Sequence, residues 1–121
     1  MLIEGLYSEI SKVTEENSVQ VKIQVDNKHQ IFQGHFPNNP VMPGVCLLQI
    51  MKELTESFFS ENLFMEMCSN VKFMAKINPD LNPILDIDLA FSKDQDQIKA
   101  KGAFSFEGTP ATKISAKYKI V

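Results

Sequence analysis

Residues 34–49 read GHFPNNPVMPGVCLLQ, from Gly34 to Gln49. Pro37, Pro40 and Pro43 stiffen a loop that carries a single histidine, His35. Pro43-Gly44 then opens an apolar run, which predicts a rigid loop feeding the N-terminus of a buried helix. Such an end offers backbone N–H groups with no intrahelical partner and the positive end of the helix dipole. A histidine beside it is placed to move a proton on a carbonyl compound.

Working outward, helical spacing holds from Val45 to about Phe59, with Leu47, Met51, Leu54 and Phe58 on one stripe. The first two turns, Val45 to Met51, are apolar almost all round, so this end is expected to be covered on every side. Before the loop, Val19, Val21, Ile23 and Val25 alternate with polar neighbours, a half-buried strand over 18–26. A shorter strand over 7–13 precedes it through Glu15-Glu16-Asn17, a hairpin turn. After the helix the period returns to two. Strands are expected over 64–76, then around Leu85 to Phe91. A third runs through Ile98 to Phe106, broken by Gly102. After a turn at Gly108-Thr109-Pro110, the last runs through Ile114 to Ile120. Two strands, a long helix and about four strands predict one α+β domain over 1–121. Its antiparallel sheet curls around the helix.

Composition narrows the function. The chain has 121 residues, 44 % of them hydrophobic, and a net charge of −3. All 12 basic residues are lysine, so no guanidinium fork is available for phosphates or guanine edges, which argues against nucleic acid. No segment reads as a signal peptide or membrane span, and a cytoplasmic location is expected. The two cysteines, Cys46 and Cys68, and two histidines match no metal-ligand spacing. Both cysteines are expected to be small core residues. His29, in a polar turn, is expected to be an exposed bystander.

Gly34-His35-Phe36-Pro37 followed by Pro40-Val41-Met42-Pro43-Gly44-Val45 closely resembles the signature of β-hydroxyacyl-[acyl carrier protein] dehydratases. Val71-Lys72-Phe73 through Ile77-Asn78-Pro79-Asp80 is similar, more loosely, to that family's following strand and turn. The resemblance implies the hot-dog fold, a long helix wrapped by an antiparallel sheet. It implies a dimer with sites at the subunit interface. It also implies a 3-hydroxyacyl thioester substrate carried on the phosphopantetheine of acyl carrier protein, with no cofactor of the enzyme's own.

The residue types suit that chemistry. Removing water needs a base for the α proton, a role for His35, and a donor for the growing thioester oxyanion, a role for the Gly44 N–H. Glycine at 44 lets the acyl carbonyl approach closely. Phe36, Val41, Met42, Pro43 and Val45 are expected to line the acyl site. The departure is Gln49, which stands where the family pattern carries Glu or Asp. It lies about 7.5 Å along the helix from Gly44. Its amide can orient a hydroxyl or a water but cannot release a proton near neutral pH. Glu53, one turn further on, is read as a solvated or paired acid. Asn38-Asn39 also departs from a Gly-His pair common in one branch of the family.

Three readings follow. The first is a dehydratase of fatty-acid or related polyene or polyketide synthesis, working with His35, Gly44 and Gln49. The second is a catalytically weak or inactive acyl-binding subunit that pairs with an acid-bearing hot-dog partner. The third, ranked last, is a thioesterase. Lys99, Lys101, Lys113, Lys117 and Lys119 share outward parity on their strands, while Lys72 and Lys76 are the first choice for contacting an acidic carrier protein.

Overall fold

The computed structural model describes residues 4–32 and 41–121. His35, Phe36 and the rest of the proline-marked loop before Val41 lie outside the described residues. The order of elements is β1 (Tyr7–Thr14), β2 (Ser18–Val25), a 3-10 turn (Gln30–Phe32), α1 (Gly44–Phe59), β3 (Leu63–Phe73), β4 (Ile84–Asp94), β5 (Gln97–Phe106) and β6 (Thr109–Ile120). The six strands form one sheet in the order β1-β2-β4-β5-β6-β3, with every pairing antiparallel. This is the hot-dog arrangement that the resemblance implies.

Alternation explains why the central strands form and which face they bury. Val19, Val21 and Ile23 of β2 stand opposite Leu89, Ile87 and Leu85 of β4, and all six are buried. Ile98, Ala100 and Phe104 of β5 continue the apolar face, with Ile114, Ala116 and Tyr118 of β6 beside them. Cys46, Leu47, Ile50, Met51 and Leu54 of α1 are buried in the same core. Cross-strand apolar pairs and helix burial therefore act on one shared interior. One tight turn uses left-handed backbone at two successive positions. Glu107 (φ 49°) and Gly108 (φ 79°) join β5 to β6, a pair of positive φ values that suits the twist of a two-residue hairpin. The turn thus falls one residue earlier than the Gly108-Thr109-Pro110 signal suggests, and Pro110 lies within β6.

Gly102 does not break its strand, because β5 runs through it. Its role is close packing: a Cβ there would lie 3.0 Å from Leu89 Cδ2 and 3.0 Å from Met51 Sδ. The missing side chain lets α1 settle onto the sheet at Met51. Gly102→Ala is therefore expected to destabilise the protein by about 1–3 kcal/mol through overpacking, measured as a lower midpoint in urea denaturation. An unchanged midpoint would mean that Met51 moves aside without cost.

Three expectations change in detail. Val45, in the first turn of α1, is 71 % exposed rather than covered. Nothing in a single chain, among the described residues, lies over it. Cys46 is a core residue, but Cys68 is exposed on β3. Strand β3 carries register shifts between Met65 and Met67 and between Ser69 and Lys72. The first shift sets Cys68 opposite the buried Ala116, so it lies on the inner face of this edge strand and is exposed because no described residue of the single chain covers it there. His29 is half-buried and tied down. The Ile31 N–H donates to its Nδ1 at 3.1 Å, which leaves Nε2 to carry the proton and donate to the Glu4 carbonyl at 2.7 Å.

Candidate active site

The segment before α1 is fixed by the chain that follows β3. The Met42 N–H donates to the Ile77 carbonyl at 2.8 Å, and the Met74 and Ala75 N–H groups both donate to the Ala111 carbonyl. Pro43 caps the helix with extended backbone (φ −63°, ψ 142°) and contributes no side-chain hydrogen bond. The first helical hydrogen bonds run from the Cys46 and Leu47 N–H groups to the Pro43 carbonyl, at 3.0 and 3.4 Å. The N–H groups of Gly44 and Val45 precede that ladder, as the geometry of a helix start requires.

Between these two segments lies a cavity of about 640 Å³, a size that suits a small-molecule or acyl ligand. Val41, Met42, Pro43, Gly44 and Val45 form one wall, Phe73 to Ile77 the other, and Leu47 and Thr112 complete the lining. Apart from the Lys76 stem and Thr112, its side chains are apolar. The Thr112 hydroxyl is buried and has no hydrogen-bond partner among the described residues. The consecutive residues from Val41 to Val45, all expected at the acyl site, are thus brought together. Phe73 and Thr112 join them as β3–β6 register partners.

Gly44 has a close neighbour within the chain. The space beside its Cα is not open: a Cβ there would meet Phe73 Cζ at 2.9 Å. Phe73 itself is 63 % exposed. Its ring lies over the first turn of the helix, and glycine at 44 is what admits the ring.

Gln49 is not part of this wall. Five residues along an α-helix turn the side chain about 140° from Gly44, so the two face different directions. The half-buried Gln49 amide Nε2 donates to Glu53 Oε2 at 2.9 Å. From the other side, the Tyr7 hydroxyl of β1 donates to Glu53 Oε1 at 2.8 Å. Glu53 is therefore a paired acid that joins α1 to an edge strand 46 residues away in the chain. Burial raises the Tyr7 phenol pKa, and the hydrogen bond to Glu53 raises it further, so the phenol remains a donor. The lysines also divide. Lys76 lines the cavity, whereas Lys72 stands opposite Lys113 on the outer face of the sheet, where Lys99 also faces Lys117.

Residues 11–116 match the ApeI-like family, described as ApeI dehydratase. The chain belongs to that family. Among curated relatives, a 3-hydroxyacyl-[acyl-carrier-protein] dehydratase, FabZ, of Enterococcus faecalis is 29 % identical over 69 % of this chain and 64 % of its own length. The FabZ of Clostridium perfringens is 27 % identical over 88 % of this chain and 76 % of its own. The chain thus spans slightly under two thirds of the Enterococcus relative. Among solved structures, the ApeI:P dehydratase heterocomplex from Xenorhabdus doucetiae superposes with a TM-score of 0.78. It is 18 % identical and covers 93 % of this chain and 96 % of that one. A hypothetical thioesterase with coenzyme A from Streptococcus pneumoniae gives a TM-score of 0.70. That match is 10 % identical and covers 95 % of this chain and 85 % of that one. These likenesses to solved structures are likenesses of fold. No helix among the described residues is long and apolar enough to cross a membrane.

Proposed function

We propose that this ApeI-like chain is a dehydratase that removes water from a 3-hydroxyacyl thioester of acyl carrier protein to give the 2-enoyl thioester. The observation that carries the reading is the apolar cavity walled by Val41 to Val45 and by Phe73 to Ile77. It sets the N–H groups of Gly44 and Val45, which have no backbone partner among the described residues, beside a place for an acyl chain. The curated relatives named above are dehydratases of such thioesters, which agrees in substrate class.

The residues divide the chemistry as follows. His35 takes the α proton, and the C–H electron pair becomes the new C=C bond. The thioester oxygen, as it gains charge, accepts from the Gly44 N–H at the positive end of the helix dipole. The C–O bond breaks with its electron pair leaving on oxygen, and the imidazolium returns the same proton to that oxygen as water departs. His35 serves as base and then as acid because Gln49 has no proton to give.

The protein works as a pair of chains in this reading. Strand β3 ends the sheet and exposes Phe64, Met67, Val71 and Phe73, a long apolar edge that another strand would cover. Val45 is left bare in the single chain. Gln49 faces away from the cavity of its own chain, which suits a site shared between subunits. A second reading, in which the partner is an acid-bearing homologue, is favoured by the same Gln49. The structural likeness to a dehydratase heterocomplex agrees with it.

Incubation of the purified protein with a 3-hydroxyacyl carrier protein, with products followed by mass spectrometry, tests both readings. Enoyl product from the chain alone is the expected result. Product only after addition of an acid-bearing homologue selects the heterodimer. Free acid and thiol would overturn both in favour of thioester hydrolysis.

A further inference from the structure

The carboxamide of Gln49 has two ends, and the structure shows which one is engaged. Glu53 Oε2 lies 2.9 Å from it. Only the NH2 end can donate to a carboxylate oxygen, so chemistry assigns Nε2 to that contact. The other Glu53 oxygen is held by the Tyr7 hydroxyl at 2.8 Å. The glutamate is thus tethered from β1 as well as from its own helix and cannot easily turn away. Among the described residues no donor meets Gln49 Oε1, and the side chain is half-buried rather than free in solvent.

We infer that Glu53 and Tyr7 are positioning residues that lock the Gln49 carboxamide with its oxygen outward, so that Gln49 accepts a hydrogen bond from the substrate 3-hydroxyl. The inference rests on the dehydratase reading for the identity of the hydroxyl, but the lock itself is a property of this chain. Its chemical consequence is specific. A hydroxyl that donates to Gln49 Oε1 has its O–H direction fixed, and its lone pairs are turned toward the group that must protonate it. An amide free to flip would present NH2 half of the time and compete for those lone pairs. The lock therefore converts a residue that cannot supply a proton into one that orients the acceptor of the proton.

The test uses the full chain in its paired form. Glu53→Gln keeps size and shape but can meet Gln49 either way round. Tyr7→Phe removes one oxygen and with it the hydrogen bond from β1 to Glu53 Oε1. In NMR spectra the Gln49 side-chain NH2 signals, assigned by their loss in Gln49→Ala, are expected to shift in both variants. Unchanged NH2 signals in Glu53→Gln would overturn the lock. In kinetics, Glu53→Gln is expected to lower kcat about twofold, because an amide free to flip presents its oxygen only half of the time, with KM unchanged. In a Gln49→Ala background the same change should have no further effect. An equal loss in both backgrounds would mean that Glu53 acts on substrate itself and would overturn the positioning role. A wild-type protein that makes no enoyl product, but whose NH2 signals shift as expected, sinks the dehydratase reading and the substrate contact and leaves the lock standing.

Discussion

His35→Ala is expected to lower kcat for enoyl formation by roughly 10²–10⁴-fold, the usual worth of a placed proton-transfer group. The loss should fall toward the upper end, because one imidazole both takes the α proton and returns it. The pH dependence follows from the same assignment. Abstraction needs neutral imidazole, so kcat/KM should rise with pH as the imidazole loses its proton. No carboxyl group stands at position 49 to impose a falling limb on the alkaline side. Mass spectrometry across a pH series checks this, with thermal denaturation of the variant run in parallel to separate chemistry from folding. Activity in His35→Ala within about tenfold of wild type would remove His35 from the reaction.

The exchange Gln49→Glu with Glu53→Gln is expected to raise kcat by a comparable factor, up to roughly 10²-fold or more, by restoring an acid at position 49. The pair of changes matters more than either alone. Gln49→Glu by itself sets two carboxyl groups one helical turn apart and removes the 2.9 Å hydrogen bond between residues 49 and 53. One of the two groups then holds its proton to higher pH, because both cannot ionise without repulsion. The sign for stability is definite. A carboxyl whose pKa is higher in the folded than in the unfolded state disfavours folding as pH rises past the unfolded value of about 4.3. The single variant should therefore lose stability relative to wild type from that pH upward, with the loss complete above its raised pKa. In the double variant the amide introduced at position 53 can donate to the carboxylate introduced at position 49. The same amide accepts from the Tyr7 hydroxyl, so the contacts with residue 49 and with Tyr7 are both kept. Denaturation midpoints at acid and neutral pH, measured with turnover for all three variants, check the set. Glu53→Gln is expected to be harmful in the wild-type background and helpful in the Gln49→Glu background. The same sign in both backgrounds would show that the two side chains do not act together.

The order of elements was legible because Val19 to Val25, Leu85 to Phe91 and the stripe from Leu47 to Phe58 keep clean periods. Their side chains meet a single core, so local pattern and tertiary packing agree. The cavity wall from Val41 to Val45 was legible for a similar reason, since those residues are consecutive. Gly102 was not, because its meaning lies across the molecule, in the space taken by Met51 and Leu89. A glycine in a strand reads locally as a break, and nothing nearby in the chain distinguishes a break from a seat for a helix. Phe73 and Thr112 enter the site only through β3–β6 pairing, a register that no local signal states. The Gln49–Glu53 contact could have been drawn from helical spacing alone. Tyr7 could not, since 46 residues separate it from Glu53.

Strand β3 has a consequence for how such a protein must be made. Its 11 residues end the sheet, and Phe64 and Met67 project from it into solvent. An unpaired apolar edge recruits whatever extended chain it meets first, a copy of itself or a misfolded neighbour. If the natural occupant is a different gene product, supply of the two chains in equal amounts decides solubility before it decides turnover. A surplus of this chain would then be lost to precipitation, and production alone would understate both its yield and its activity.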